Sequence, residues 1–139
     1  MDKKLSIKKW VKNYIKGKYD KEDRNTQIKA GWFDWCCKET SLKNKTKKIG
    51  NIMKKVVNEN LVNNCYIWFE NCISIDGHLY DSFRFAYLKT GAALIYISIN
   101  NTKYDHKYVM YDFRNKFKEP VFKTNKTKIL IEYLNNIKF

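Results

Sequence analysis

The chain contains few of the residues that separate domains. Its 139 residues include one proline, Pro120, and five glycines, too few for a flexible linker. It also lacks the run of about eighteen apolar residues that a membrane-spanning helix requires. We therefore expect one domain over residues 1–139, with a basic helical part at 1–60, a sheet with a closing helix at 61–139, and no membrane partner.

Signals for secretion and for common nucleotide or acyl chemistry are missing as well. Residues 1–5 lead into an amphipathic segment rather than into the apolar core of a signal peptide, so we expect a cytoplasmic protein. The chain has no Walker loop, dinucleotide fingerprint or Gly-x-Ser-x-Gly turn. Nucleotide hydrolysis and esterase chemistry are therefore without support, and we expect no cofactor.

Acidic residues are outnumbered two to one. The chain has 28 lysines and arginines against 14 aspartates and glutamates, a formal net charge of +14. Residues 1–60 hold 17 basic and 7 acidic residues, net +10, whereas residues 61–139 hold 11 and 7, net +4. Basic domains attract phosphate polymers because binding releases counterions. The charge predicts a nucleic acid or nucleoprotein as partner, although a lysine-rich proteome would produce the same composition.

Apolar residues at helical spacing predict two amphipathic helices in this basic part. The first covers residues 5–17. The other begins after a cap at Thr40 or Ser41 and carries an apolar stripe whose members alternate steps of four and three: Leu42, Thr46, Ile49, Met53 and Val56. Lysines occupy the remaining surface of that helix, so the sequence predicts a nearly continuous cationic face.

Between these helices lies the densest aromatic segment of the chain, Gly31–Cys37. We expect a further helix here, on which Trp32, Trp35 and Cys36 share one side. Because the segment is apolar on two sides, we interpret it as core that joins the helical part to the sheet. An exposed hot spot for a protein partner is the alternative interpretation.

After Asn64 the sequence acquires the β-branched and aromatic composition of strands. The predicted strands are 65–69, 79–88, 92–100, 108–113 and a short edge strand at 121–122. A helix capped by Thr124 or Asn125 closes the chain. Together these elements predict an α+β fold, an antiparallel meander of about four or five strands with N-terminal helices and a C-terminal helix packed on it.

Two blocks have a distinctive spacing of aromatic and polar residues. They comprise Ala30–Lys38, Ser41–Leu42 and Lys45–Thr46 in the first block, and Trp68–Cys72 and Leu79–Phe85 in the second. These blocks resemble uncharacterised small proteins of phages and mobile elements from low-GC Gram-positive bacteria, over most of residues 25–100. Cys37 departs from the pattern, which has an aromatic or similar residue in that cysteine pair. The resemblance implies a nucleic-acid binder or an inhibitor of a host defence nuclease, as anti-CRISPR proteins are.

The candidate binding residues are cations on the two amphipathic helices and an aromatic–arginine pair in the sheet: Lys12, Lys16, Lys43, Lys45, Lys47, Lys48, Lys54, Lys55, Tyr80 and Arg84. Lysines on a rigid face contact phosphates, and rings beside cations stack on unpaired bases. We expect a non-enzymatic protein that binds nucleic acid or a nucleoprotein such as a CRISPR effector. An adaptor for an acidic protein partner is one alternative.

A small metal-dependent nuclease is the other alternative. Asp76, His78 and Asp81 supply the ligand types of such an enzyme within six residues. The same residues are explained by a β-turn at Asp76–Gly77 and an ion pair of Asp81 with a lysine or Arg84, which is the interpretation we favour. We therefore expect no metal site.

The four cysteines do not have the spacing of a zinc site. They are Cys36, Cys37, Cys65 and Cys72. Adjacent cysteines do not easily ligate the same tetrahedral ion, and in a reducing compartment we expect buried thiols.

Overall fold

The computed structural model describes residues 4–21, 39–73, 77, 79–114 and 119–138. These residues form α1 (Ile7–Ile15), α2 (Glu39–Met53), α3 (Glu59–Asn64), β1 (Cys65–Ile73), β2 (Leu79–Tyr87), β3 (Ala93–Asn101), β4 (His106–Asp112), β5 (Phe122–Thr124) and α4 (Thr127–Asn136). The predicted α+β fold is confirmed. The expected helix around the aromatic segment Gly31–Cys37 lies outside the described residues. No helix within them is long and apolar enough to cross a membrane.

The helix α1 follows the prediction closely. Ser6 caps it, because its hydroxyl oxygen accepts a hydrogen bond from the backbone N–H of Lys9 at 3.3 Å. Ile7 and Trp10 are buried. The chain leaves the helix through Gly17, whose φ of 75° lies in the left-handed region that favours glycine.

The helix α2 confirms the predicted apolar stripe but not its predicted ends. Thr46, Ile49 and Met53 are buried, as expected for a stripe whose members are alternately four and three residues apart. The helix begins at Glu39, so the predicted cap at Thr40 or Ser41 is wrong. Val56 is also buried, yet it lies in the turn that follows the helix.

The sequence did not predict α3. The helix has six residues and a single fully buried side chain, Leu61, so no periodicity could develop. Asn58 caps it by accepting a hydrogen bond from a backbone N–H of its first turn.

Asn58 and Asn135 form a reciprocal contact, the asparagine clasp, between the α2–α3 turn and the end of α4. The Nδ2 of Asn58 donates to the carbonyl oxygens of Leu134 and Ile137, both at 3.0 Å. The Oδ1 of Asn135 accepts from the N–H of Val57 at 2.8 Å. The clasp satisfies backbone groups that the end of a helix leaves without partners.

The sheet is an antiparallel meander in which neighbours follow chain order, β1-β2-β3-β4-β5. β1 and β2 pair along their full length, with Cys65 opposite Tyr87 and Ile73 opposite Leu79. The turn at 89–91, between the predicted strands 79–88 and 92–100, connects β2 to β3 and uses a φ of 72° at Gly91.

Both faces of the sheet contain buried residues. One face and the helices share a core that draws on every described helix; its members include Ile7, Trp10, Ile49, Leu61, Phe83, Phe85, Ile97 and Leu130. Tyr96, Val109 and Tyr111 form a second buried cluster. Because successive strand residues point to opposite faces, burial of both faces leaves β3 without the alternation of exposed and buried residues.

The N-cap of helix α4 lies one or two residues after its predicted position. Its N-cap is Lys126, which makes no side-chain cap hydrogen bond. Thr124 instead accepts from the N–H of Lys126, and Asn125 accepts from the N–H of Lys107 on β4. The predicted cap at Thr124 or Asn125 is therefore wrong, because both side chains stabilise the approach to the helix.

Asp112 and Arg114 tie β4 to the C-terminal segment. The guanidinium of Arg114 donates to both carboxylate oxygens of Asp112 and to the carbonyl of Lys138. Burial raises the pKa of Asp112, but the hydrogen bonds and charge of Arg114 outweigh it, so the pKa lies below its ordinary value of 3.8.

Because the pKa of Asp112 is lower in the folded state, its contribution to stability is present above pH 3.8 and is lost as the pH falls through the folded value. The acid limb is the fall in the free energy of unfolding as the pH decreases, measured by urea titration at several pH values. We expect Asp112→Asn to make this fall smaller. Arg114→Gln should shift that limb to higher pH. Acid limbs that coincide for all three proteins would contradict the assignment.

Gly50 allows α1 and α2 to approach closely. The ring of Tyr14 lies against Gly50, and a Cβ on that residue would come within 2.6 Å of three ring atoms. The Tyr14 hydroxyl donates a hydrogen bond either to Asn51 Oδ1, at 3.0 Å, or to the Lys47 carbonyl, at 3.2 Å. The relative position of the two helices depends on this contact.

We expect Gly50→Ala to lower the free energy of unfolding by about 1–3 kcal/mol, because the new methyl group displaces the ring. In a Tyr14→Ala background the same change should raise it by about 0.5–1 kcal/mol, since alanine is the better helix former. Chemical denaturation of the four proteins measures both effects. An equal effect of Gly50→Ala in the two backgrounds would show that the ring does not rest on Gly50.

Candidate functional site

A groove of about 560 Å³ runs between the C-terminal end of α1 and α2. Its wall contains three lysines, two tyrosines and one carboxylate: Lys43, Lys47, Lys54, Tyr14, Tyr19 and Asp20. We call it the α1–α2 groove. It brings together three of the ten predicted binding residues.

The three lysines share the groove because of their spacing on and just beyond α2. Lys43 and Lys47 are four residues apart, and Lys54 follows seven residues later, so all three fall on one side. Their side chains cover about 16 Å along the helix axis at 1.5 Å per residue. This is the length of a polymer contact rather than of a single-ion site.

The two tyrosines are fixed by neighbouring side chains of α1. Trp10 stacks on Tyr14, with ring centroids 5.7 Å apart and nearly parallel planes, and on Tyr19 at 5.4 Å. The Nδ2 of Asn13 donates to the Tyr19 hydroxyl at 3.0 Å. Burial raises the pKa of both tyrosines above the ordinary value, and Asp20 adds to the effect at Tyr14. The hydroxyls therefore stay neutral at physiological pH.

Asp20 is the only acidic side chain among the described residues of the groove wall. It lies next to Gly17, where a Cβ would approach its carboxylate to 2.8 Å. The groove is consequently cationic along α2 and less so at its α1 end.

A second groove, of about 310 Å³, lies on the other side of Lys54. Lys8, Lys12 and Lys54 lie around a floor that includes Val11 and Val62. Lys54 thus borders both grooves. Lys12 therefore lies beside the α1–α2 groove without lining it.

The remaining predicted lysines are dispersed. Lys45 points toward the sheet, where its Nζ is 3.3 Å from a carboxylate oxygen of Asp81 and 4.5 Å from the centroid of the Phe69 ring. Burial, followed by the charge of Lys107, lowers the pKa of Lys48, and Asp81 opposes that shift. Lys16 and Lys55 are exposed outside the α1–α2 groove.

The predicted aromatic–arginine pair of the sheet consists of a buried residue, Tyr80, and a half-buried one, Arg84. Tyr80 is 5% exposed, and its hydroxyl accepts from the N–H of Lys103 and lies 3.3 Å from the Thr102 hydroxyl. Its ring therefore belongs to the interior of the fold rather than to a stacking surface. Arg84 is half-buried, 5.8 Å from the centroid of the Trp68 ring.

Within the described residues no group of three potential metal ligands comes together. Asp76 and His78 lie outside them. Asp81 is bound to Lys45, as the ion-pair interpretation predicted. The hypothesis of a metal-dependent nuclease gains nothing from the described part of the chain.

Comparisons with family models, with curated proteins and with solved structures find no match.

The sequence pattern does not predict that Tyr14 and Tyr19 line the groove or that Gly50 lies against Tyr14. Tyr14 falls at helical spacing with Trp10, which favours a packing role, and Tyr19 follows the helix. Gly50 is the available signal, because an isolated glycine inside a helical pattern is consistent with a close packing contact.

Cys65 is buried at the start of β1, and burial raises the pKa of its thiol to about 11. This confirms the predicted buried thiol at this position; Cys36 and Cys37 lie outside the described residues.

We expect iodoacetamide to leave Cys65 unmodified in the folded protein at about pH 8, because the thiolate is the reactive form. Mass spectrometry of digests, with urea-unfolded protein as control, measures this. Rapid modification in the folded state would contradict the burial.

Proposed function

We propose that this chain is a non-enzymatic binding protein for nucleic acid, free or in a nucleoprotein, and that it holds the phosphate backbone in the α1–α2 groove. The observation that carries the proposal is the grouping of Lys43, Lys47 and Lys54 on one wall. Phosphate contacts of this kind supply affinity and register without reading sequence.

Rigidity of the wall supports the proposal. Long lysine side chains lose conformational entropy when they are immobilised, so a binding surface gains from a backbone that is already fixed. Tyr14 supplies this by packing on Gly50 and by its hydrogen bonding to α2. The cations of α2 therefore keep their spacing before a ligand arrives.

One tyrosine ring in the same wall favours a single strand over a duplex. A groove between two helices admits an extended backbone with its bases, and bases stack on aromatic rings whatever their sequence. Tyr14 is half-buried and lines the space beside the lysines, whereas Tyr19 is buried and packs on Trp10.

A narrower form of the proposal concerns the biological target. The resemblance to mobile-element proteins favours a host defence nucleoprotein, such as a CRISPR nuclease, over free nucleic acid. An acidic protein surface is the competing partner. Pull-down with and without nuclease treatment separates the two, since a nucleic-acid contact is lost on digestion and a protein contact survives.

The central test replaces Lys43, Lys47 and Lys54 together by glutamine. We expect the affinity for a fluorescent single-stranded oligonucleotide to fall and the slope of log affinity against log salt to decrease by about two units, because about 0.7 of a counterion is released per contact. Fluorescence anisotropy at several salt concentrations measures both quantities.

One matched variant controls for net charge, and a second variant removes the acidic side chain of the groove. Lys89, Lys126 and Lys128 are exposed outside the groove, so replacing these three by glutamine removes the same charge and should leave the slope nearly unchanged. Asp20→Asn removes the carboxylate of the groove and should strengthen binding. If the two triple variants lose equal affinity, or if binding does not depend on salt, the α1–α2 groove is not the binding site.

A further inference from the structure

A second cluster of cations lies on the sheet, outside the α1–α2 groove. The Nζ of Lys4 is 3.9 Å from the centroid of the Trp68 ring and 5.4 Å from that of Tyr66. Arg84, directly opposite Trp68 in the β1–β2 ladder, places its guanidinium carbon 5.8 Å from the Trp68 ring. We call Lys4, Trp68 and Arg84 the Trp68 cluster.

The Trp68 cluster occupies the sheet face away from α1 and α2. Phe69 points into the core that the helices share with the sheet, and its neighbour Trp68 therefore points to the opposite face. Lys4 reaches this face from the segment that precedes α1. The cluster is thus separate from the groove, and its test does not involve the groove lysines.

Two positive charges meet in this cluster without a described counterion. Neither Lys4 nor Arg84 forms an ion pair with a carboxylate of the described residues. Both side chains are half-buried. Burial lowers the pKa of Lys4, and the charge of Arg84 lowers it further. Both cations lie against the Trp68 ring, so their like charges repel, and an anion that contacts both removes the repulsion.

The chemistry of the two cations identifies the anion. A guanidinium offers a planar fork of N–H donors and an ammonium a compact charge, a combination that suits the several oxygens of a phosphate group. Lys4 already occupies the face of Trp68 at cation–π distance. The ring therefore orients the ammonium group and does not itself offer that face to a base.

We propose that Lys4 and Arg84, oriented by Trp68, form a phosphate-binding site on the sheet face away from α1 and α2. The group bound is a phosphate oxyanion, supplied either by the backbone of a nucleic acid or by free phosphate. The site goes beyond the proposed function because it exists whether or not the α1–α2 groove binds a strand.

The test follows the indole N–H resonance of Trp68 in ¹⁵N-labelled protein, assigned with Trp68→Phe. The protein is titrated with inorganic phosphate, with a short single-stranded oligonucleotide, and with sodium chloride at matched ionic strength. We expect a saturable shift with phosphate or with the oligonucleotide and none with chloride. Tighter binding of the oligonucleotide identifies a strand as the source, and tighter binding of inorganic phosphate identifies a small anion.

Variants establish which residues are responsible. Lys4→Met and Arg84→Gln should each raise the ligand concentration at the midpoint of the titration by about ten-fold or more, because each removes a charge-assisted hydrogen bond. Arg84→Lys keeps the charge and should retain part of the affinity, whereas Lys89→Gln, on the β2–β3 turn, should match the wild type. Since Lys4 precedes α1, its substitution leaves every helix and strand intact.

The proposal is overturned by any of three results. In the first, the Trp68 resonance stays in place with both phosphate sources. In the second, it moves equally with sodium chloride. In the third, its shift with phosphate is the same in Lys4→Met and in Arg84→Gln as in the wild type. If the Trp68 shift is also lost when Lys43, Lys47 and Lys54 are replaced by glutamine, the shift reports binding in the α1–α2 groove and not at the Trp68 cluster.

Discussion

The contact between Tyr14 and Gly50 determines the arrangement on which the candidate groove depends. Gly50 costs α2 about 1 kcal/mol relative to alanine, and in return a whole ring lies against the helix backbone. The same ring is held by Trp10 on one side and by hydrogen bonding of its hydroxyl to α2. The width of the groove follows from this contact, since a larger residue at position 50 would move α1 away.

The charge of the protein is divided among surfaces with different surroundings. Lys43, Lys47 and Lys54 face the α1–α2 groove, whereas Lys45 faces the sheet and the carboxylate of Asp81. Lys4 and Arg84 lie on the opposite face of the sheet. The formal net charge of +14 is therefore spread over several surfaces and not concentrated on one.

Much of the fold could be predicted because the strands and long helices bury regular patterns. The stripe of α2 and the β2–β3 turn are local signals that tertiary packing did not override. The six residues of α3 were too few for such a signal, and the cap of α4 was assigned to side chains that bind the neighbouring backbone. The burial of Tyr80 could not be predicted, because alternation identifies two faces of a strand but does not say that both are buried. The grouping of lysines could not be predicted either, since their sequence spacing does not show which side of α2 meets α1.

The asparagine clasp links parts of the chain that are synthesised far apart in time. Val57 bonds to Asn135 across 78 residues, and Lys54, which borders both grooves, lies just before the clasped turn. The first two helices emerge early from the ribosome, but their junction with α3 is completed only when the end of α4 has emerged. A nascent chain therefore carries the groove lysines before the turn that follows Lys54 is held against the end of α4.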